Sequence, residues 1–365
     1  MPGFGKSAMF EELLQAPAHS HRQASKEALL LPELNDLVRY HYERCAPYAR
    51  MIDAAWGGPR RYERLEDIPF LPVGLFKKLE LSSTDARLMT LRSSGTSGQV
   101  PSRIVVDKAT AARQSQALVS TFRSILGERR QPFLVIDTKD VLKPGDLSAR
   151  GAGVLGMMKF GANATFALDS ELDLQRDTLL SFIEKYQGQP FLIFGFTFLV
   201  WSRLYQMCAD GEFDLSNGIL VHSGGWKSLE EQKVSNPDFR AALGRRFGLR
   251  NICNFYGFVE QIGSVFTEGE DGLLHPPNFT DIIVRRPGDW QPAAPGEEGV
   301  VQTLSLLPLS YPGHSILTED RGVIVEVDSG IGGRFGKAVR ITGRVARAEL
   351  RGCSDVVAAT TRAMR

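Results

Sequence analysis

Ser93-Ser94-Gly95-Thr96-Ser97-Gly98 sits between two short strand-like runs, Leu88 to Leu91 and Arg103 to Val106. Glycine permits positive φ and a close approach of the backbone to a ligand, while successive N–H groups and the hydroxyls of this loop can converge on anionic oxygens. The same residue types also make plain surface turns, so the loop has to be read with its surroundings. No Gly-Lys-Ser/Thr follows it, and the next segment has strand rather than helix character, which excludes a Walker-type phosphate loop. A helix is expected only after Asp107, a candidate N-cap, where Ala111, Ala112, Ser115, Leu118, Val119, Phe122, Ile125 and Leu126 form one face at helical spacing. The loop is a candidate phosphate site of another kind.

Outward from the loop, helical spacing covers Met9 to Leu14 and Lys26 to Tyr48, followed by the proline-punctuated Ile68-Pro69-Phe70-Leu71-Pro72-Val73-Gly74-Leu75-Phe76-Lys77. On its other side, strand patterns at Pro132 to Asp137, Phe191 to Phe194, Gly218 to His222 and Asn251 to Asn254 alternate with helical patterns at Asp173 to Tyr186, Phe198 to Cys208 and Asp238 to Phe247. Such alternation predicts an α/β fold with a mostly parallel sheet. From Gly272 onward helical patterns fade, and short strands such as Asp281 to Val284, Val300 to Leu304 and Val323 to Val327 alternate with Pro/Gly turns. The expected organisation is an α/β core with its N-terminal helical region over 1–271, a smaller β-rich subdomain over 272–343 and a short tail over 344–365.

Composition narrows the function classes. Of 365 residues, 43% are hydrophobic and 23% charged, as in an ordinary globular chain. Lys and Arg number 43 against 42 Asp and Glu, so no basic field argues for nucleic acid or an anionic membrane. The longest apolar run, Phe191 to Trp201, falls well short of the roughly 20 residues of a membrane span, and the N-terminus lacks a signal-peptide pattern, so a cytoplasmic location is expected. Cys45, Cys208, Cys253 and Cys353 are scattered without metal-ligand spacing and are expected as reduced thiols.

Several further segments place polar groups where strands end, the usual ligand edge of an open α/β sheet. In Asn254-Phe255-Tyr256-Gly257-Phe258-Val259-Glu260, Tyr256 can stack on a purine and Glu260 can hold a hard cation such as Mg²⁺; a half-buried tyrosine and a solvated glutamate are the plainer alternative. His222-Ser223-Gly224-Gly225-Trp226-Lys227 runs a strand into glycines, with Lys227 a candidate partner for carboxylate or phosphate, while His222 is assigned no chemistry. In Ser315-Ile316-Leu317-Thr318-Glu319-Asp320-Arg321-Gly322, the Asp320 carboxylate suits the two hydroxyls of a ribose, or is simply a turn acid. Arg340-Ile341-Thr342-Gly343-Arg344 closes a strand on Gly-Arg, and Cys353 follows among Arg344, Arg347 and Arg351, cations of the kind that lower a thiol pKa.

Ser-Ser-Gly-Thr-Ser-Gly, then Gly-Gly, Tyr-Gly-x-x-Glu, Thr-x-Asp and Gly-Arg, in that order, resembles the motif succession of the adenylate-forming superfamily of acyl-CoA synthetases, adenylation domains and insect luciferases. Within it the sequence is similar to the LuxE-type acyl-protein synthetases over nearly its whole length, the most specific part being Gly343-Arg344-Val345-Ala346-Arg347-Ala348-Glu349-Leu350-Arg351-Gly352-Cys353. The resemblance implies an adenylate-forming N-terminal-domain-like fold and a ligase that uses ATP and Mg²⁺. It also implies that Ser93, Ser94, Gly95, Thr96, Ser97 and Gly98 grip phosphates, and that Ser223, Gly224, Gly225, Tyr256 and Gly257 flank adenine. Asp320 would bind ribose, Glu260 the metal, and Cys353 the acyl group before a partner acyl reductase receives it in a possible hetero-oligomer.

Full-length acyl-CoA synthetases continue past the Gly-Arg hinge with a mobile domain that supplies a lysine. Arg344 to Arg365 contain no lysine, so the resemblance implies a chain lacking that domain, with Arg103, Lys227 or Arg344 supplying the charge. Pro190 to Trp201 is aromatic enough to line an acyl tunnel, and equally suits a buried core. The carboxylic acid substrate is expected to be fatty. A compact CoA ligase and a silent nucleotide-binding scaffold are the alternative readings.

Overall fold

The computed structural model describes residues 8–92, 101–143, 148–226 and 231–345. In chain order it has helices α1 (Ala8–Gln15), α2 (Gln23–Arg44) and α3 (Ala46–Trp56), strands β1 (Leu71–Pro72), β2 (Met89–Arg92) and β3 (Arg103–Val106), and helix α4 (Lys108–Leu126). There follow β4 (Gln131–Thr138), α5 (Ala149–Met157), β5 (Gly161–Leu168), α6 (Arg176–Lys185), β6 (Phe191–Phe196), β7 (Gly218–Ser223), α7 (Asn236–Phe247) and β8 (Asn251–Tyr256). The chain continues through β9 (Phe266–Glu268), β10 (Leu274–His275), β11 (Thr280–Arg285), β12 (Glu298–Ser305), β13 (Ser315–Val327) and β14 (Lys337–Arg344). No described helix is long and apolar enough to cross a membrane.

Two compact units share these elements: Met1–Thr121, Phe258–Phe266 and Leu273–Arg365 make one, Phe122–Gly257 and Thr267–Gly272 the other. In the second unit, strands run in the order β5-β4-β6-β7-β8 and every pairing is parallel. β4 and β6 are near-continuous apolar runs because a parallel sheet is covered on both faces. The aromatic run Phe191 to Trp201 is mainly core, with Phe191, Phe194, Val200 and Trp201 all buried. Trp201 continues into a π-helical turn, Val200–Tyr205, in place of a regular helix, and stacks on Tyr205 at 4.3 Å and Phe239 at 5.8 Å.

Two elements of this unit leave little trace in the sequence. α5 carries Gly151, Gly153 and Gly156, which depress helix propensity, and β5 is rich in Ala and Gly rather than branched residues. Tertiary packing selects them: a Cβ on Gly153 would stand 3.0 Å from the Phe194 ring, and one on Gly161 would stand 2.4 Å from that of Phe133.

The first unit is antiparallel, in the order β11-β12-β13-β14-β10, with β1 added parallel to β13 and a separate β2–β3 hairpin. Phe10, Leu34 and Leu37 of the N-terminal helices share its core with Phe279, Ile283 and Leu304. The helical region therefore packs with the β-rich segment. The single helix expected over Lys26 to Tyr48 is broken at Cys45, whose extended backbone ends α2 and starts α3; Pro47, which cannot donate, sits in the first turn of α3. Asp107 caps α4 by accepting from the Thr110 N–H at 2.8 Å.

A buried charge cluster lies in the same unit. Asp281 accepts from Lys337 Nζ at 3.1 Å and Gln23 Nε2 at 2.8 Å, and Lys26 Nζ donates to the Pro276 carbonyl at 3.0 Å. Burial lowers the Lys26 pKa to about 8, with Asp281 opposing the shift and Lys337 adding to it. Because this folded-state value lies below the unfolded 10.5, the folded state binds fewer protons between the two. Urea unfolding is accordingly expected to show stability rising as pH increases from about 8 toward about 10, and Lys26→Met is expected to abolish that rise. Asp281→Asn, which strands two buried ammonium groups, is expected to cost about 3–5 kcal/mol in the same measurement. Gly161→Ala is expected to cost about 1–3 kcal/mol through overpacking against Phe133, read as a lowered urea midpoint.

Candidate active site

In the first unit, the chain is drawn onto β13 by β1, a two-residue extended run pairing Leu71 with Ile316 and Pro72 with Leu317, with Pro72 unable to donate. The 3₁₀ turn that follows, Val73–Lys77, is anchored by buried Leu75 and Phe76, the latter edge-on to Tyr311 at 6.2 Å. This pairing carries Lys77 Nζ to 3.9 Å from Glu319 Oε2.

Glu260 lies in the turn Val259–Gln261 and is buried. Its main chain is clamped: the Tyr311 hydroxyl donates to the Glu260 carbonyl at 2.9 Å, and Gln261 Nε2 donates to the Gly313 carbonyl at 2.7 Å. A Cβ on Gly313 would stand 2.2 Å from the Tyr311 ring and 3.1 Å from the Glu260 oxygen, so only glycine fits there. The Glu260 carboxyl has its pKa raised by burial; a hydrogen bond from Ser102 and the Lys77 charge pull it back, and Glu319 pushes it further up.

A buried acid of this kind gains from a cation. Among the described residues no three His, Cys, Asp or Glu side chains gather as a full ligand set. Glu260, with Glu319 nearby, therefore offers one or two carboxylates. That donor set fits Mg²⁺, which is commonly held by one or two carboxylates and completed by water and substrate phosphate.

Asp320 is not a turn acid but part of the thirteen-residue β13, directly opposite Arg344 on β14. The two side chains pair at 3.4 Å, with Arg344 75% exposed, so the bond contributes about 0–1 kcal/mol and a ligand hydroxyl can displace it. Side chains alternate along a strand, so Glu319 turns to Lys77 and Asp320 to Arg344.

In the second unit, parallel β4, β6, β7 and β8 bring Thr138, Phe196, Ser223 and Tyr256 to the same carboxyl edge. The buried Ser223 hydroxyl donates to the Phe255 carbonyl at 2.6 Å, which commits it within the sheet. Thr197 donates to the Ser223 carbonyl at 3.1 Å and pairs with His222 Nδ1 at 3.0 Å. Gly224 has φ of +85° and a Cβ there would stand 3.0 Å from the Phe196 ring, while Gly225 is open. Tyr256 is half-buried at the end of β8, with Gly257 next to it. Burial pushes the His222 pKa down to about 3, with Arg240 adding to it, so this imidazole is neutral at physiological pH.

Ser93 to Gly98, Lys227 and Cys353 lie outside the described residues. Arg103 is exposed on β3. Sequence reading singles out Asp320 and Glu260 but passes over Lys77 and Glu319. The strand period of two was the available signal for Glu319. For Lys77 it was a cation closing a proline-punctuated segment.

The chain has recognisable relatives. A family model described as "Acyl-protein synthetase, LuxE" matches residues 7–361. The chain is 23% identical over 325 residues to a long-chain-fatty-acid–luciferin-component ligase of Vibrio harveyi, covering 87% of this chain and 84% of that protein. It is 24% identical over 273 residues to the ligase of the same description from Aliivibrio fischeri, covering 72% of this chain and 71% of the other. A solved open conformation of 2-hydroxyisobutyryl-CoA ligase, in complex with 2-HIB-AMP and CoA, superposes with a TM-score of 0.70 at 15% identity, over 89% of this chain and 71% of that one. That likeness shows the fold of an adenylate-forming ligase. Because the family model spans nearly every residue, from the N-terminal helices past the Gly343-Arg344 ending, the chain belongs to the LuxE family of acyl-protein synthetases.

Proposed function

We propose that this protein activates a carboxylic acid, of the fatty class named for its relatives, as an acyl-adenylate from ATP, and transfers the acyl group to Cys353 for delivery to an acyl reductase or another acceptor. The observation that carries the reading is the buried Glu260 carboxyl, clamped through its main chain and flanked by Lys77 and Glu319. An expensive buried acid is explained by a site that receives a metal–phosphate ligand.

In the first step a carboxylate oxygen of the acid bonds to the α-phosphorus of ATP, and the bond from that phosphorus to the bridging oxygen breaks, releasing pyrophosphate. In the second, the Cys353 thiol gives up its proton to solvent, its sulfur bonds to the acyl carbon, and the bond from that carbon to the phosphate oxygen breaks as AMP departs. Ser93 to Gly98 supply N–H and hydroxyl donors to the phosphates. Tyr256, Gly257 and the main chain of Ser223 to Gly225 flank adenine, and Asp320 accepts from the ribose hydroxyls in place of Arg344. Bound at Glu260, Mg²⁺ supplies charge neutralisation to the phosphate oxygens. Lys227 and Arg344 add positive charge, and the chain's contribution throughout is positioning and electrostatic preorganisation.

Intact-mass measurement after incubation with Mg²⁺-ATP and a panel of fatty and aryl acids, without CoA, is expected to show a one-acyl mass increase that Cys353→Ser loses. Pyrophosphate release only when CoA is added would instead identify a compact CoA ligase, and silence in both assays a nucleotide-binding scaffold. Glu260→Gln is expected to slow acid-dependent ATP–pyrophosphate exchange by about a hundredfold and to raise the Mg²⁺ concentration it requires, measured with the same acids.

A further inference from the structure

We propose that Lys77 is a catalytic cation of the acid-activating step, contacting the α-phosphate of ATP and the carboxylate that attacks it; this rests on the acyl-activating reading above. Lys77 ends the turn Val73–Lys77, and its backbone and its ammonium are treated differently by the structure. The turn is fixed by the parallel pairing of Leu71 and Pro72 with Ile316 and Leu317, by buried Leu75 and Phe76, and by the Lys78 N–H donating to the Leu75 carbonyl at 2.9 Å. The ammonium, by contrast, is only loosely held, 3.9 Å from a Glu319 oxygen, with the two side chains 28% and 31% exposed.

An ion pair that long and that exposed contributes about 0–1 kcal/mol, so fold stability does not account for building a rigid support under it. Proximity to the acid cluster does. The Lys77 charge acts on the Glu260 carboxyl, and its ammonium lies 3.9 Å from the carboxylate of Glu319, which acts on Glu260 as well. Arg344 lies at the next position along the sheet, loosely paired with Asp320 at 3.4 Å and 75% exposed.

The reaction must bring a carboxylate against a phosphate, two anions whose repulsion opposes the approach. A lysine ammonium is a compact charge with three donors on a flexible stem, so it can contact an oxygen of each anion while remaining beside the Glu319 carboxylate. The carboxylate lone pair forms the new O–P bond, the bond from the α-phosphorus to the bridging oxygen breaks, and its electron pair leaves with pyrophosphate. Lys77 keeps its protons throughout and stabilises the charge developing in the transition state.

The test separates the two half-reactions of the full chain, using ATP–pyrophosphate exchange with a fatty acid for the first and acylation from a synthetic acyl-adenylate for the second. Lys77→Met is expected to lower the exchange kcat by at least about a hundredfold, with the ATP KM changed less than about threefold and acylation from the adenylate retained. Lys77→Arg is expected to recover about a tenth of the wild-type exchange. Equal loss of both half-reactions, or wild-type exchange by Lys77→Met, overturns the assignment and leaves the acyl-activating reading standing. A wild-type chain that exchanges pyrophosphate with no acid overturns that reading and this assignment together. If Lys77→Met fails to fold, Lys77→Arg decides: slowed exchange with intact acylation supports the assignment, and equal slowing of both or of neither overturns it.

Discussion

β13 is the constraint on which the first unit depends. Its residues Ser315 to Val327 pair with β12 along one side and β14 along the other, and Leu71-Pro72 adds a short parallel run at Ile316 and Leu317. Two of these pairings each bring a charged pair together. β14 sets Arg344 opposite Asp320, and β1 delivers Lys77 to Glu319. The approach to the strand, Tyr311-Pro312-Gly313, clamps the main chain of Glu260 through the Tyr311 hydroxyl and the close approach of Gly313. A one-residue slip of β13 would exchange the faces of Glu319 and Asp320 and dissolve both pairs.

The charges of this region are secured by uncharged contacts. Glu260 is held at its backbone by the Tyr311 phenol, the adjacent Gln261 is tied to the Gly313 carbonyl, and the turn that carries Lys77 is anchored by buried Leu75 and Phe76. The ion pairs themselves, Lys77 with Glu319 and Asp320 with Arg344, are long and partly exposed. Such pairs exchange partners at little cost, whereas the clamps that aim them do not. The cluster of Lys26, Asp281 and Lys337 is the contrast within the same unit: it is buried, Lys337 bonds directly to Asp281, and Lys26 is tied to the Pro276 carbonyl.

Legibility in the sequence follows the range of the interaction. The parallel strands β4, β6, β7 and β8 could be read because coverage on both faces writes itself as a local apolar run. β3 and α4 could be read because alternation, the Asp107 cap and one apolar face are local features. α5 and β5 could not, since their glycines are chosen by Phe194 and Phe133 across the sheet. The break at Cys45 was hidden because helical spacing continues through it, and Pro47 was the signal that outweighed the spacing.

The site divides in the same way. Glu260, Asp320, Tyr256 and the Ser223 turn stand out by residue type next to glycines or strand ends. Lys77 and Glu319 are ordinary surface residues in one dimension, and only the pairing of a two-residue strand with β13 makes them neighbours. The Ser223 hydroxyl is spent on the Phe255 carbonyl, where it ties β7 to β8. What this turn can offer a ligand is therefore backbone, which explains the two glycines after Ser223 better than any hydroxyl chemistry does. Gly224 adopts a positive φ under the Phe196 ring, and Gly225 leaves its surroundings open.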